Sequence, residues 1–181
     1  MANDISPDVQ KNKKKILILG IGNPILCDDG IGIHVVRHLK RLINDTHIML
    51  DEAYTGGLCL VDLLRGYEKS ILIDAIKSPQ DKNGTIKRLN LDDLPTTHSS
   101  NPHDMSLYTA IQLAKKMGDT LPQEIIIIGI VVNNPPCFGE HLTPEINQSV
   151  SQAANCVLEE LVKTRKTSPK KISSKEKRES T

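Results

Sequence analysis

The sequence predicts an α/β domain: a three-layer sandwich whose twisted, mostly parallel five-stranded sheet carries helices on both faces. Three observations lead there. Four short, β-branched apolar runs recur along the chain, of the kind buried on both faces of a parallel sheet. Segments of helical periodicity separate them, and such strand–helix alternation closes through right-handed crossovers. With three Tyr, one Phe and no Trp in 181 residues, the core must come from Ile, Leu, Val and Ala.

In order, "KKILILG" (14–20) is the first strand, and a helix over 30–43 follows with Ile31, Val35, Val36, Leu39 and Leu42 on one face. "THIMLD" (46–51) is the second strand, and Leu58, Val61, Leu63 and Leu64 mark a second helix that ends near Gly66. "KSILIDAI" (69–76) is the third strand, and "GTIKRLN" (84–90) reads as a further strand at an antiparallel edge. Met105, Leu107, Ala110, Ile111 and Ala114 mark a third helix ending near Gly118. "EIIIIGIVV" (124–132) is the last strand. The fourth helix runs from Pro144, a good first-turn residue, to about Lys163, with Ile146, Val150, Ala153, Val157, Leu158 and Leu161 inward. The domain thus spans 14–163, between a polar segment (1–13) and a basic tail (164–181) whose compositions predict disorder.

Charge excludes some functions. With 23 basic and 22 acidic side chains the net charge is +1, so the chain has no general attraction for nucleic acid or anionic lipid. Few aromatics leave little to stack on bases. The four cysteines (Cys27, Cys59, Cys137, Cys156) form no C-x-x-C pair, which argues against a zinc ribbon or a disulfide framework and fits a reducing compartment. No run approaches the roughly 18 apolar residues of a membrane span, and no signal core is evident. The expectation is a soluble, cytoplasmic protein.

The chemistry concentrates at "GIGNPILCDDG" (20–30), between the first strand and its helix. Gly-x-Gly at this position, with Asp51 and Glu52 after the second strand, suggests a dinucleotide fingerprint. Against it, Ile25 replaces the third glycine, Pro24 intrudes, and Asp28 and Asp29 put negative charge where a pyrophosphate would sit. Two acids at a helix start suggest that one caps the helix while the other points into a cleft.

In an open α/β sheet, ligands bind beyond the carboxyl ends of the strands where strand order switches. With order 2-1-3, Asp29 after strand one and Asp74 ending strand three flank that crevice. A carboxylate on an otherwise apolar run is costly to bury without a partner. His103, in "SSNPHDMSL", stands before the third helix. Asp29, Asp74 and His103 would make an O,O,N set for a divalent transition metal such as nickel or zinc.

At this point the chain resembles the hydrogenase maturation proteases, endopeptidases that trim the carboxyl-terminal extension of nickel–iron hydrogenase large subunits. The resemblance runs from about Lys14 to Leu161. It rests on "GIGNPILCDDGIG", "GYEKSILIDAI", "PHDMSL", "LPQEIIIIGI" and "FGEHLTPEI". It implies a twisted sheet between helix layers and a metal-reading cleft made by Asp29, Asp74 and His103. It also implies a nickel–iron hydrogenase large-subunit precursor as partner. Nickel is carried in by that substrate, with zinc or cadmium able to substitute in vitro, and cleavage follows only once nickel is inserted. The loop after strand two departs from the family's Asp-Gly-Gly-Thr-x-Gly, reading "DEAYTGG" (51–57); it borders the cleft and is expected to help select the substrate.

For the chemistry, the metal would position the substrate with Lewis-acid help, and Asp29 or Asp74 would act as general base. Asn23 either joins the loop amides in stabilising an oxyanion or holds the turn. A Cys27 nucleophile is disfavoured, because neighbouring carboxylates raise a thiol's pKa. Glu140 and His141 are loop residues that could join the cleft, although a solvated position suits them better. The alternatives are a non-catalytic nickel-binding maturation chaperone using the same three residues and, further off, a dinucleotide-binding enzyme.

Overall fold

The apolar runs form the strands that their β-branched composition favours. The structure, a computed structural model, describes residues 16–93, 107–135 and 137–167. The strands are β1 (Ile16–Ile21), β2 (Ile48–Ala53), β3 (Lys69–Ile76), β4 (Ile86–Asn90) and β5 (Glu124–Val131). The helices are α1 (Ile31–Leu39), α2 (Leu58–Leu64), α3 (Leu107–Lys116) and α4 (Pro144–Thr167). A 3-10 turn over Cys27–Gly30 leads into α1.

The five strands lie in the order β2-β1-β3-β5-β4. The first four in this order are mutually parallel, and β4 runs antiparallel to β5 at the edge. Strand order reverses beside β1, so the loops after β1 and β3 flank the switch-point crevice, as the sequence reading required.

Each face of the sheet has its own core. Ile18, Ile71, Ile73, Ile126 and Ile128 pack with α1 and α4, whereas Leu17, Leu19, Leu72, Ile125 and Ile127 pack with α2 and α3. Alternation along the strands sends successive side chains to opposite layers, which is why these runs are apolar throughout.

Some boundaries differ from expectation. Helix α1 stops at Leu39, and Leu42 N–H bonds to the Leu39 carbonyl in a tighter turn that leaves Leu42 exposed. In α2 only Leu60, Val61 and Leu64 are buried; Leu58 and Leu63, expected inward, lie toward solvent because a helix this short presents a single narrow stripe. Helix α4 continues beyond Lys163 to Thr167. Met105 and the terminal segments 1–13 and 168–181 lie outside the described residues. Among the described residues no helix is long and apolar enough to cross a membrane.

The glycines of the first turn serve packing. A Cβ on Gly32 would lie 2.3 Å from the carbonyl oxygens of both Ile21 and Ile73, so α1 can settle against the ends of β1 and β3 only without a side chain there. Gly22 has φ +145°, and a Cβ on it would meet the Asp29 carbonyl oxygen at 2.1 Å. The Gly-x-Gly that resembles a phosphate cradle is used to bring helix and sheet backbones together.

Candidate functional site

The carboxyl edge of the sheet carries two acids from different strands. Asp29 enters from the 3-10 turn after β1, and its Oδ2 accepts the Asn23 backbone N–H at 2.8 Å. Asn23 Oδ1 in turn accepts the Ile25 N–H at 3.2 Å, so its side chain holds the turn, the second of the two roles considered for it. The Asp29 side is exposed.

Asp74 lies near the end of β3, in register with Gly129 of β5, and its Oδ1 accepts the Ala75 N–H at 2.8 Å. Removal from water, reinforced by the negative charge of Asp29 and offset in part by the Ala75 bond, pushes its carboxyl up from 3.8 to about 7. Asp29 and Asp74 line one open cleft of about 280 Å³, with Gly22, Asn23, Tyr54 and Thr55 around them. The third expected ligand, His103, lies outside the described residues. Among the described residues no three His, Cys, Asp or Glu side chains converge as a metal set. The geometry therefore supplies two oxygen donors on one cleft, a pair that can draw in a cation or exchange a proton.

Asp28 has a different task from the capping expected of one acid in the pair. Neither the 3-10 turn nor α1 is capped by a side chain. Asp28 is buried, and it accepts Thr143 N–H at 2.7 Å, Thr143 Oγ1–H at 2.9 Å and Asn134 Nδ2–H at 2.8 Å. Three donors from the segment between β5 and α4 satisfy a charge that would otherwise be expensive to bury. Asp28 thus ties the turn to that segment while leaving Asp29 free to face the clefts.

A second tie is covalent. Cys27 and Cys137 are joined by a disulfide across 110 residues of sequence, contrary to the absence of disulfides expected from the cysteine spacing. What brings them together is backbone pairing: Cys27 N–H donates to the Gly139 carbonyl at 2.8 Å and Gly139 N–H to the Ile25 carbonyl at 3.0 Å. A disulfide-bonded Cys27 offers no thiolate for nucleophilic attack. Glu140 and His141 are exposed and line neither cleft at this edge; both face the half-buried His34 of α1, whose pKa is lowered chiefly by burial.

Glu52, the acid where a dinucleotide ribose would bind, is fully engaged. It accepts from Arg37 Nε at 3.2 Å and Nη2 at 2.9 Å, Lys40 Nζ at 2.8 Å and the Tyr54 hydroxyl at 2.7 Å. These partners overcome its partial burial and bring its pKa down to about 2. Sequence reasoning missed this cluster, the roles of Thr143 and Asn134, and the disulfide. Thr143 alone carried a local signal, since Thr-Pro-Glu is a helix start and Asn147 N–H bonds to the Thr143 carbonyl.

Comparison with known proteins bears on the family and the fold. The profile of the hydrogenase maturation protease family matches residues 33–160. The hydrogenase 2 maturation protease of Escherichia coli K12 is 28% identical over 148 residues, covering 80% of this chain and 88% of that one. The hydrogenase expression/formation protein HupD of Thiocapsa roseopersicina is 29% identical, covering 83% of this chain and 69% of that one. Among solved structures, the E. coli hydrogenase maturating endopeptidase HybD superposes with a TM-score of 0.65 at 26% identity, covering 83% of this chain and 93% of HybD.

Proposed function

This chain belongs to the hydrogenase maturation protease family and is a peptidase, and from that premise we propose its substrate and site. It removes the carboxyl-terminal extension of a nickel–iron hydrogenase large-subunit precursor after nickel insertion, reading the metal through Asp29, Asp74 and His103. Nickel arrives as part of the substrate. It positions the peptide and lends Lewis-acid help at the scissile carbonyl.

The observation that carries this reading is the pairing of Asp29 with Asp74 on one open cleft at the switch point of the sheet. Two oxygen donors with open space between them suit a cation presented from outside. A carboxyl held near pH 7 is matched to proton transfer at neutral pH, so Asp74 is the better general base for the attacking water. Asp29, anchored by the Asn23 N–H, then serves chiefly to meet the metal.

The test is the intact mass of a nickel-loaded large-subunit precursor before and after incubation with the protein. Loss of one discrete tail, dependent on nickel, is the expected result. An unchanged mass with stable association would make the protein a non-catalytic metal chaperone for the same partner.

A further inference from the structure

The turn after β1 and the segment after β5 meet in a short parallel bridge that pairs Leu26 with Gly139. Cys27 N–H donates to the Gly139 carbonyl and Gly139 N–H to the Ile25 carbonyl. In that register Ile25 stands beside Phe138, and alternation puts both on the side opposite Leu26. Leu26 faces the cleft that Asp29 and Lys77 also line. Ile25 and Phe138 therefore point away from that cleft, and they are 52% and 89% exposed. Phe138 is the chain's single Phe, and among the described residues no large apolar side chain is more exposed.

These side chains stand on a fixed base. The Cys27–Cys137 disulfide and the bridge hold the backbone around them, and the bonds from Asn134 and Thr143 to Asp28 hold the segment on either side. A preformed apolar projection loses little freedom when a partner covers it. The stretches "PILC" (24–27) and "PPCFG" (135–139) carry no charged residue, so this tip offers a partner apolar area and no ion pair.

Its place in the fold indicates what covers it. Asn23 lines the Asp29–Asp74 cleft, donates its backbone N–H to Asp29 and accepts the Ile25 N–H on its Oδ1. The tip thus begins where that cleft ends, and a macromolecule that presents a metal to the cleft must lie over the adjoining ground. We infer that Ile25 and Phe138 are a docking tip for the folded body of the large-subunit precursor, received by an uncharged, apolar recess beside its nickel. The inference rests on the function proposed above. Contacts made away from the bond that is cut hold substrate and transition state alike, so the tip lowers KM and leaves kcat unchanged.

The experiment measures Kd on an immobilised nickel-loaded precursor, and kcat and KM for its cleavage. Wild type is compared with Ile25→Ser, Phe138→Ser, Phe138→Leu and Met117→Ser. Met117, 74% exposed just after α3, is the control, because α3 leads into the start of β5 at the opposite edge of the sheet. Each serine variant of the tip should raise Kd and KM by about tenfold with kcat unchanged, whereas Phe138→Leu and Met117→Ser stay close to wild type. Thermal melts check the fold; Ile25 and Phe138 lie on separate segments, so misfolding of one variant leaves the other to decide. Unchanged Kd and KM in a folded serine variant would overturn the tip. So would a wild-type dimer in size-exclusion chromatography that Phe138→Ser splits into monomers, which would assign the tip to a second copy of the chain. A wild type that binds the precursor without cutting it overturns the proposed proteolysis while the Kd comparison still decides the tip, and one that does neither overturns both.

Discussion

Asp74→Asn should make the isolated protein more stable at pH 8 and less stable by about 1–2 kcal/mol at pH 4, where only the amide's own desolvation remains. The folded carboxyl titrates near 7, whereas its unperturbed value is 3.8. Between these values the folded chain holds a proton that the unfolded chain has released. Unfolding free energy therefore falls as pH rises, by about 1.4 kcal/mol per pH unit. Over about three pH units the loss reaches about 4 kcal/mol; it is absent below the unfolded value and complete above pH 7. Asparagine cannot ionise, and its Oδ1 still accepts the Ala75 N–H. Allowing for the amide's own desolvation, the net gain at pH 8 is about 2–3 kcal/mol, which for a domain of this size raises Tm by about 5–10 °C. Thermal melts followed by circular dichroism at pH 4, 6 and 8 would show the difference growing with pH. A difference of the same size at all three, or a less stable variant at pH 8, would refute the reasoning.

The covalent tie between Cys27 and Cys137 closes a loop of 110 residues, so Cys137→Ser should cost about 3–5 kcal/mol in urea unfolding. Wild type in a dithiol reductant should match the variant, and equal stability of wild type and variant without reductant would contradict the assignment. Thr143→Val removes one hydroxyl donor from buried Asp28 and should cost about 1–3 kcal/mol, measured by the same unfolding transition. Asp28→Asn should be costlier, because the new NH2 must face either the Thr143 N–H or the oxygen site that Asn134 Nδ2–H and Thr143 Oγ1–H share, and the contacts that remain lose their charge assistance.

The fold was legible because the strands announce themselves. Runs such as "EIIIIGIVV" are too apolar for anything but a strand covered on both faces, whereas of the sheet order only 2-1-3 was supposed and the places of β5 and β4 beyond β3 carry no local mark. Asp74 was legible for the same reason: a carboxylate ending an otherwise apolar strand is a local anomaly that burial makes expensive. Asp28 was misread as a helix cap, because its true partners, Asn134 and Thr143, lie more than a hundred residues away. The disulfide was hidden likewise, since only the pairing of the turn with Gly139 brings Cys137 to Cys27. Helical periodicity overstated α1 and α2 at Leu42, Leu58 and Leu63, where apolar residues continue the stripe but the helix ends or turns away from the sheet. Local pattern carries periodicity and burial cost, whereas long-range pairing of loops leaves no such mark.

The most direct test of the account compares cleavage of one nickel-loaded precursor by the wild type and by Asp29→Asn, Asp74→Asn and His103→Ala, with Glu140→Gln as a control at the same edge of the molecule. Intact mass against time gives the rates. The account predicts that each of the three substitutions lowers cleavage by at least about a hundredfold while the folded state persists, and that Glu140→Gln cuts at the wild-type rate. Wild-type rates in the Asp29 and Asp74 variants would contradict it and move the metal-reading site elsewhere in the molecule.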